Sequence, residues 1–286
     1  PGAGRGRRSG PVRIPGKWLW ERAGDLARFW PVTESEDTRR ARARRLRELH
    51  HRDDLLVLPN VWDAQTARIF QRAGFPALAT PSSGIAESLG HTDAQGAPAE
   101  EMFAAAARII RAVEVPVTVD AEAGYGLAAE ELTGHLARIG AAGCNLEDTA
   151  HPHGTLVPVD EQAEWLAAVR EADPHLVINA RVDSFLRGDA PLAERVADAV
   201  ARAEAYLAAG ADCVYPILAP ASVLGELAKR IPGPMNAIYT PDGPSLAELA
   251  GLGVRRVTFG GGLYEHTLDL VRRMAARIAD GRGPFA

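Results

Sequence analysis

Two carboxylates stand two residues apart where an apolar run stops. In "VPVTVDAEAGYG", residues 115–126, Asp120 and Glu122 follow Val117–Val119 and precede a turn on Gly124, Tyr125 and Gly126. The arrangement recurs downstream: "CNLED" 144–148 ends on Glu147 and Asp148, and "LVINARVDS" 176–184 closes with Arg181 and Asp183. Side chains at i and i+2 of a strand share a face. Asp120 would therefore join Glu122, Asn145 would join Glu147, and Asn179 would join Arg181 and Asp183. Carboxylates gathered in one place repel one another unless a cation lies among them. Oxygen donors of this kind favour Mg2+, with Mn2+ as an alternative. The Arg181 guanidinium is a fork suited to a carboxylate or phosphonate.

Such a cluster needs a scaffold that brings several strand ends together. After residue 54, short apolar runs alternate with longer amphipathic, Ala-rich stretches. Eight strands are expected, at 55–60, 76–80, 115–122, 144–148, 176–184, 213–217, 234–239 and 255–261. Helices are expected near 63–73, 98–112, 128–141, 160–172, 190–209, 220–230, 245–251 and 263–280. "RAGF" 72–75, "AAGCN" 141–145 and "AAGADC" 208–213 each supply a glycine for a left-handed helix end. Strand–helix alternation with short connections predicts a parallel sheet. Eight units predict a (β/α)8 TIM barrel, whose sites lie at the C-terminal ends of the strands. A doubly wound sheet is the alternative, but "PNVWDAQTA" after the first strand lacks the glycine fingerprint of that fold.

"DAEAGYG" 120–126, "NLEDT" 145–149 and "NARVDS" 179–184, in this order, resemble the isocitrate lyase/phosphoenolpyruvate mutase superfamily. So does "PNVWDAQTARIFQRAGFPALATPSSGIAESLGHTD" 59–93. The resemblance spans about residues 40–280. It implies an enzyme acting on a small 2-oxo or 2-hydroxy acid, breaking or making a C–C or P–C bond beside an enolate on Mg2+. It implies Asp120 as metal anchor, with Glu122 and Glu147 holding the metal through water. Ser82, Ser83 and Gly84 would grip the oxo acid. Asp93 would lie over the reacting atom, Arg181 would bind a carboxylate or the leaving group, and Asn236 would line the mouth. Trp62, beside the first strand end, is a further substrate-side candidate. Trp165 and Tyr206 read as packing on the barrel's outside.

The sequence departs from the lyase branch after Glu147-Asp148. A Lys-Lys/Arg-Cys-Gly-His loop is replaced by Thr149-Ala150-His151-Pro152-His153-Gly154-Thr155-Leu156. His151 or His153 could stand in for the missing acid, or protonation could come from water or a group near Asp93. The expected function is a Mg-dependent lyase or hydrolase. The alternatives are a phosphonomutase or phosphonate hydrolase, or a non-catalytic member that binds an oxo acid. "FGGGLYE" 259–265 offers a glycine turn that suits either a phosphate group or a tight bend.

Charge is uneven. Residues 1–50 hold thirteen Lys/Arg against six Asp/Glu, which leaves 19 basic and 31 acidic residues in the remainder. An acidic body argues against nucleic acid as a partner. No apolar run reaches the length of a membrane span. Cys144 and Cys213 sit in strand-like runs and read as packed thiols, which suits the cytoplasm. Residues 1–37 read as a basic N-terminal extension and 38–286 as a single barrel domain. Thr38 is the expected cap of a first helix running to His50. A homo-oligomer without a long exchanged helix is expected.

Overall fold

The computed structural model describes residues 35–151, 153–187 and 190–285. The expected N-terminal extension lies outside these residues up to position 34. The first helix, α1 (Glu36–His50), starts three residues earlier than a cap at Thr38 implies. Its cap is Ser35, whose hydroxyl accepts the Thr38 N–H, rather than Thr38 itself.

The strands are β1 (Leu56–Val57), β2 (Leu78–Ala79), β3 (Val117–Asp120), β4 (Gly143–Glu147), β5 (Thr149–Ala150), β6 (Thr155–Leu156), β7 (Val177–Val182), β8 (Cys213–Pro216), β9 (Asn236–Ile238) and β10 (Arg256–Thr258). Between them run α2 (Ala64–Arg72), α3 (Ser82–Ser88), α4 (Ala99–Ile110), α5 (Ala129–Ile139), α6 (Val159–Ala172), α7 (Leu192–Ala208), α8 (Ala221–Arg230), α9 (Leu246–Gly251) and α10 (Gly262–Ala279). The eight expected strands pair in parallel, while β5 and β6 add an antiparallel hairpin. They fall into a five-stranded sheet, β2-β3-β4-β7-β8, and a three-stranded sheet, β1-β10-β9. Single parallel bridges join the two sheets at both edges, Asn60 to Ala79 and Val214 to Met235.

Local sequence explains the punctuation. Proline immediately precedes α4, α6, α7 and α8, at Pro98, Pro158, Pro191 and Pro220, with extended ψ. There it loses no helical hydrogen bond and sets the entry direction. Gly74 and Gly210 are left-handed after their helices, as expected. In "AAGCN" the expectation chose the wrong glycine. The left-handed residue is Gly140, with φ +83°, whereas Gly143 opens β4. A Cβ on Gly143 would lie 2.6 Å from the Val177 carbonyl oxygen and 3.1 Å from Leu46. Only glycine lets neighbouring backbone come that close.

The Leu46 contact locates α1. Ala43, Leu46 and Leu49 form one buried cluster with Leu56, Ala77, Ala142 and Val177, residues at or beside the N-terminal ends of four strands. The helix therefore closes that end and leaves the C-terminal ends for chemistry. A polar layer lies above the plug. Arg256 on β10 is fully buried, its Nη2 donating to Asn145 Oδ1 at 3.2 Å and its Nη1 3.4 Å from His50 Nε2. Asn179 Nδ2 also donates to Asn145 Oδ1, at 2.9 Å. Among the described residues no carboxylate pairs with Arg256.

Candidate active site

β3 delivers Asp120 as its last residue. The Asp120 N–H donates to Thr80 Oγ1 at 3.0 Å, and Asp120 Oδ2 accepts the Ser82 N–H at 3.3 Å. Glu122 arrives by a different route from the expected strand alternation, because β3 has already ended. Its φ is +49°, Tyr125 stands at +56°, and Gly124 and Gly126 are left-handed as well. Non-glycine residues in that region cost about 1 kcal/mol or more each. Tertiary contacts must hold them: Glu122 Oε2 accepts the Gln95 N–H at 2.5 Å, from a segment where Ala94 and Gln95 are themselves left-handed. Glu122 Oε1 and the Tyr125 hydroxyl are buried without a hydrogen-bond partner. Burial and the Asp120 charge push the Glu122 carboxyl up to about 7. Burial also raises Asp120, against the pull of Arg181.

β4 contributes Glu147, whose two oxygens are both engaged. Oε2 lies 2.5 Å from Arg181 Nη1, and Oε1 lies 2.6 Å from His151 Nε2 on the hairpin. Burial raises the Glu147 carboxyl, opposed by the His151 hydrogen bond and by Arg181. The same hydrogen bond raises His151. Arg181 turns the rest of its fork to Asp183, Nε to Oδ1 at 2.7 Å and Nη2 to Oδ2 at 2.9 Å. The fork expected to face a substrate carboxylate is thus filled by the protein. Asp183 is anchored in turn, its N–H donating to Asp148 Oδ1 at 2.8 Å. Asp148 Oδ2 accepts from the Tyr206 hydroxyl at 2.7 Å and from Arg202 Nη1 at 3.0 Å, both on α7. Tyr206 is therefore more than outer packing; it reaches inward to the acidic layer.

Among the described residues, no three acidic, His or Cys groups stand close enough to hold an ion directly. The donor set still fits Mg2+, which keeps most of its water and needs few protein ligands. Asp120 is the candidate direct ligand. Glu122, with its unpartnered Oε1, and Glu147 suit contact through water. When bound, such a cation would supply positive charge to an oxygen that becomes anionic during reaction.

The remaining expected residues divide. Ser82 and Ser83 open α3, a short helix that was not among the eight expected. Ser83 Oγ stands 2.7 Å from where a Cβ on Gly261 would lie. A Cβ on Gly84 would meet Pro81 and the Tyr264 ring at 3.1 Å, and Trp62 meets Tyr264 edge-on at 5.4 Å. The β2 and β10 turns thus come together around Trp62, Ser83, Gly84 and Gly261. The Gly260–Gly262 stretch is a tight turn there, with Gly260 at φ +52°. Asp93 is exposed, and its charge adds to the rise of Asp120 and Glu122. Asn236 does not line the rim: it is fully buried at the register of Arg256, with Nδ2 on Thr258 Oγ1 at 3.0 Å.

Trp165 corrects another expectation. It lies against the 120–126 turn, where a Cβ on Gly124 would approach its ring at 2.7 Å. With Gln95, Leu127, Glu147, His151 and Gln162 it lines a cavity of about 400 Å³ beside the carboxylates. Sequence reasoning missed Gln95, Thr149, Arg187, Arg202 and Tyr206 as parts of the site. Only the motif "NLEDT" 145–149, which ends on Thr149, hinted at that residue.

Comparison with known proteins identifies the family. Residues 46–279 match the family model described as phosphoenolpyruvate phosphomutase. An uncharacterized protein of Mycobacterium tuberculosis (strain H37Rv) is 34% identical over 236 residues, covering 82% of this chain and 88% of that protein. The 2-methylisocitrate lyase of Bacillus subtilis (strain 168) is 29% identical over 222 residues, covering 74% and 72%. The crystal structure of phosphoenolpyruvate phosphomutase from Streptomyces platensis subsp. rosaceus superposes with a TM-score of 0.74 at 27% identity, covering 84% and 88%. The chain belongs to the isocitrate lyase/phosphoenolpyruvate mutase superfamily and is an enzyme of that type.

Proposed function

We propose that this enzyme is a Mg-dependent lyase or hydrolase that cleaves a C–C bond in a small 2-oxo or 2-hydroxy acid through an enolate. The carrying observation is the convergence of half-buried Asp120 with buried Glu122 and Glu147 and with Arg181 at or just past the ends of β3, β4 and β7. Mn2+ is an acceptable substitute for Mg2+. Ser82, Ser83, Gly84 and Trp62 line the side on which the oxo acid binds. Asp93 moves over the reacting atom, and Arg181 orients Glu147 rather than contacting a carboxylate. Cleavage of a P–C bond is the second reading, favoured by the family model's description.

The scaffold in this reading is a (β/α)8 barrel formed by residues 38–286. The bridges at both sheet edges support closure. The enzyme works as a cytoplasmic homo-oligomer. Among the described residues, no helix is long and apolar enough to cross a membrane.

The test is a panel of oxaloacetate, 2-methylisocitrate, 2-hydroxy diacids and phosphonopyruvate with Mg2+, followed for pyruvate, glyoxylate or oxalate. Metal-dependent release from a carbon acid is expected. Release from phosphonopyruvate alone would select the second reading, and no turnover of any member would sink both.

A further inference from the structure

Every cation at the centre of the site already has carboxylate partners. Arg181 spends Nε and Nη2 on Asp183 and Nη1 on Glu147. His151 is held by Glu147, and Arg202 is shared between Asp148 and Asp198. Arg187 differs. Its backbone N–H closes a turn onto the Asp183 carbonyl at 2.8 Å, which places it just past the end of β7. The side chain is half-buried, and its one hydrogen bond is long, Nε to Thr149 Oγ1 at 3.4 Å. Among the described residues it forms no ion pair, and its Nη1 and Nη2 have no acceptor. Thr149 Oγ1 meanwhile donates to Asp183 Oδ2 at 2.5 Å, so Arg187 adjoins the network that holds Arg181. Its guanidinium lies beside Gly154, where a Cβ would stand 3.4 Å from Nη1, an ordinary contact.

We propose that Arg187 binds a second anionic group of the substrate, a carboxylate or phosphonate on the half that departs. This rests on the proposed oxo-acid chemistry and adds the residue that selects the substrate's far end. A guanidinium offers two outward N–H groups in a plane, matched to two oxygens of such a group. A partly desolvated cation with open donors is stabilised when an anion completes it. The sequence offers no lysine or arginine between Glu147 and Leu156 for this purpose, and His151 there is already held by Glu147.

Calorimetric titration of the full chain in Mg2+ tests the assignment with three probes. Oxalate mimics the oxo-acid core without a far group, malate carries a far carboxylate, and phosphonopyruvate carries a far phosphonate. Arg187→Gln should bind oxalate within about twofold of wild type and lose about tenfold or more for malate or phosphonopyruvate, the worth of a charged hydrogen bond. Arg187→Lys should recover part of the loss. The probe that loses affinity identifies the group. Equal affinities of variant and wild type for both anionic probes, or no binding of either by wild type, overturn the proposal. A wild type that fails even with oxalate overturns the underlying reading of the site, and the proposal with it.

Discussion

Glu147 Oε2 and Arg181 Nη1 lie 2.5 Å apart, and Asp183 takes the remaining fork of the same guanidinium. One cation thus holds two buried carboxylates from adjacent strands. Lysine has a point charge and cannot satisfy both. Arg181→Lys should lower unfolding stability by about 1–3 kcal/mol, as expected for a broken charged hydrogen bond. Arg181→Met should cost more, about 3–5 kcal/mol, because both carboxylates lose their counter-charge. Urea titration ranks the two; a Met variant as stable as wild type would contradict the role.

Asp120→Ala removes the one direct candidate ligand. Mg2+ binding, followed by calorimetry or by Mn2+ paramagnetic resonance, should fall below detection while the fold persists. Relieving the repulsion among the carboxylates should leave the variant at least as stable as wild type without metal. Wild-type Mg2+ affinity in this variant would refute the assignment.

His50 sits between Leu46, whose carbonyl bonds Nδ1 at 2.8 Å, and Arg256. Burial first, then Arg256, lowers its pKa from 6.5 to about 3, while Asp212 opposes and His51 reinforces the shift. The unfolded chain therefore binds a proton below pH 6.5 that the folded chain refuses. Stability is complete above that pH and is lost as pH falls toward 3, by roughly 3 kcal/mol at about pH 4. His50→Gln should flatten that slope, as measured by urea unfolding between about pH 7 and 4. An unchanged slope would show that other groups cause the acid loss.

Gly124 combines a φ of +84° with a Cβ position 2.7 Å from the Trp165 ring. Gly124→Ala should destabilise by about 2–4 kcal/mol, from backbone strain and overpacking together. Adding Trp165→Ala should return the packing part and leave the backbone part. Full additivity of the two losses would exclude the contact.

Much of this was legible from the residues, for definite reasons. Asp120 and Glu147 stood at strand ends in the sequence because a hydrophobic run stopped at each. The helix ends announced themselves by glycine at 74 and 210. What was not legible depended on pairs distant in the chain. Nothing local told that Arg181 would take Glu147 from the neighbouring strand, or that Tyr206 on α7 would reach Asp148, 58 positions away. Strand alternation grouped Glu122 with Asp120, but the real cause is a left-handed turn, which a period-two pattern does not encode. Gly143 looked like a helix end because it follows an Ala-rich stretch and precedes an apolar run, but Gly140 already served that purpose.

α10 has no buried residue along its length and exposes Leu270, Val271 and Ile278. An apolar row of that kind favours association, and in the proposed homo-oligomer it meets another copy. Val271→Asp with Ile278→Asp should shift the light-scattering mass to that of one chain and leave far-ultraviolet dichroism unchanged. A wild type that is already monomeric would refute the oligomer.

The buried guanidinium of Arg256 bears on how the enzyme matures. It is tied to Asn145 and His50, and Asp120 lies within its field. An arginine keeps its proton through the physiological range, so a newly made chain carries a permanent counter-charge under its acidic rim before any metal is available. Collapse of the chain and acquisition of the cation then become separate events. In the proposed Mg-dependent enzyme, a chain made without the ion would be finished but idle rather than misfolded.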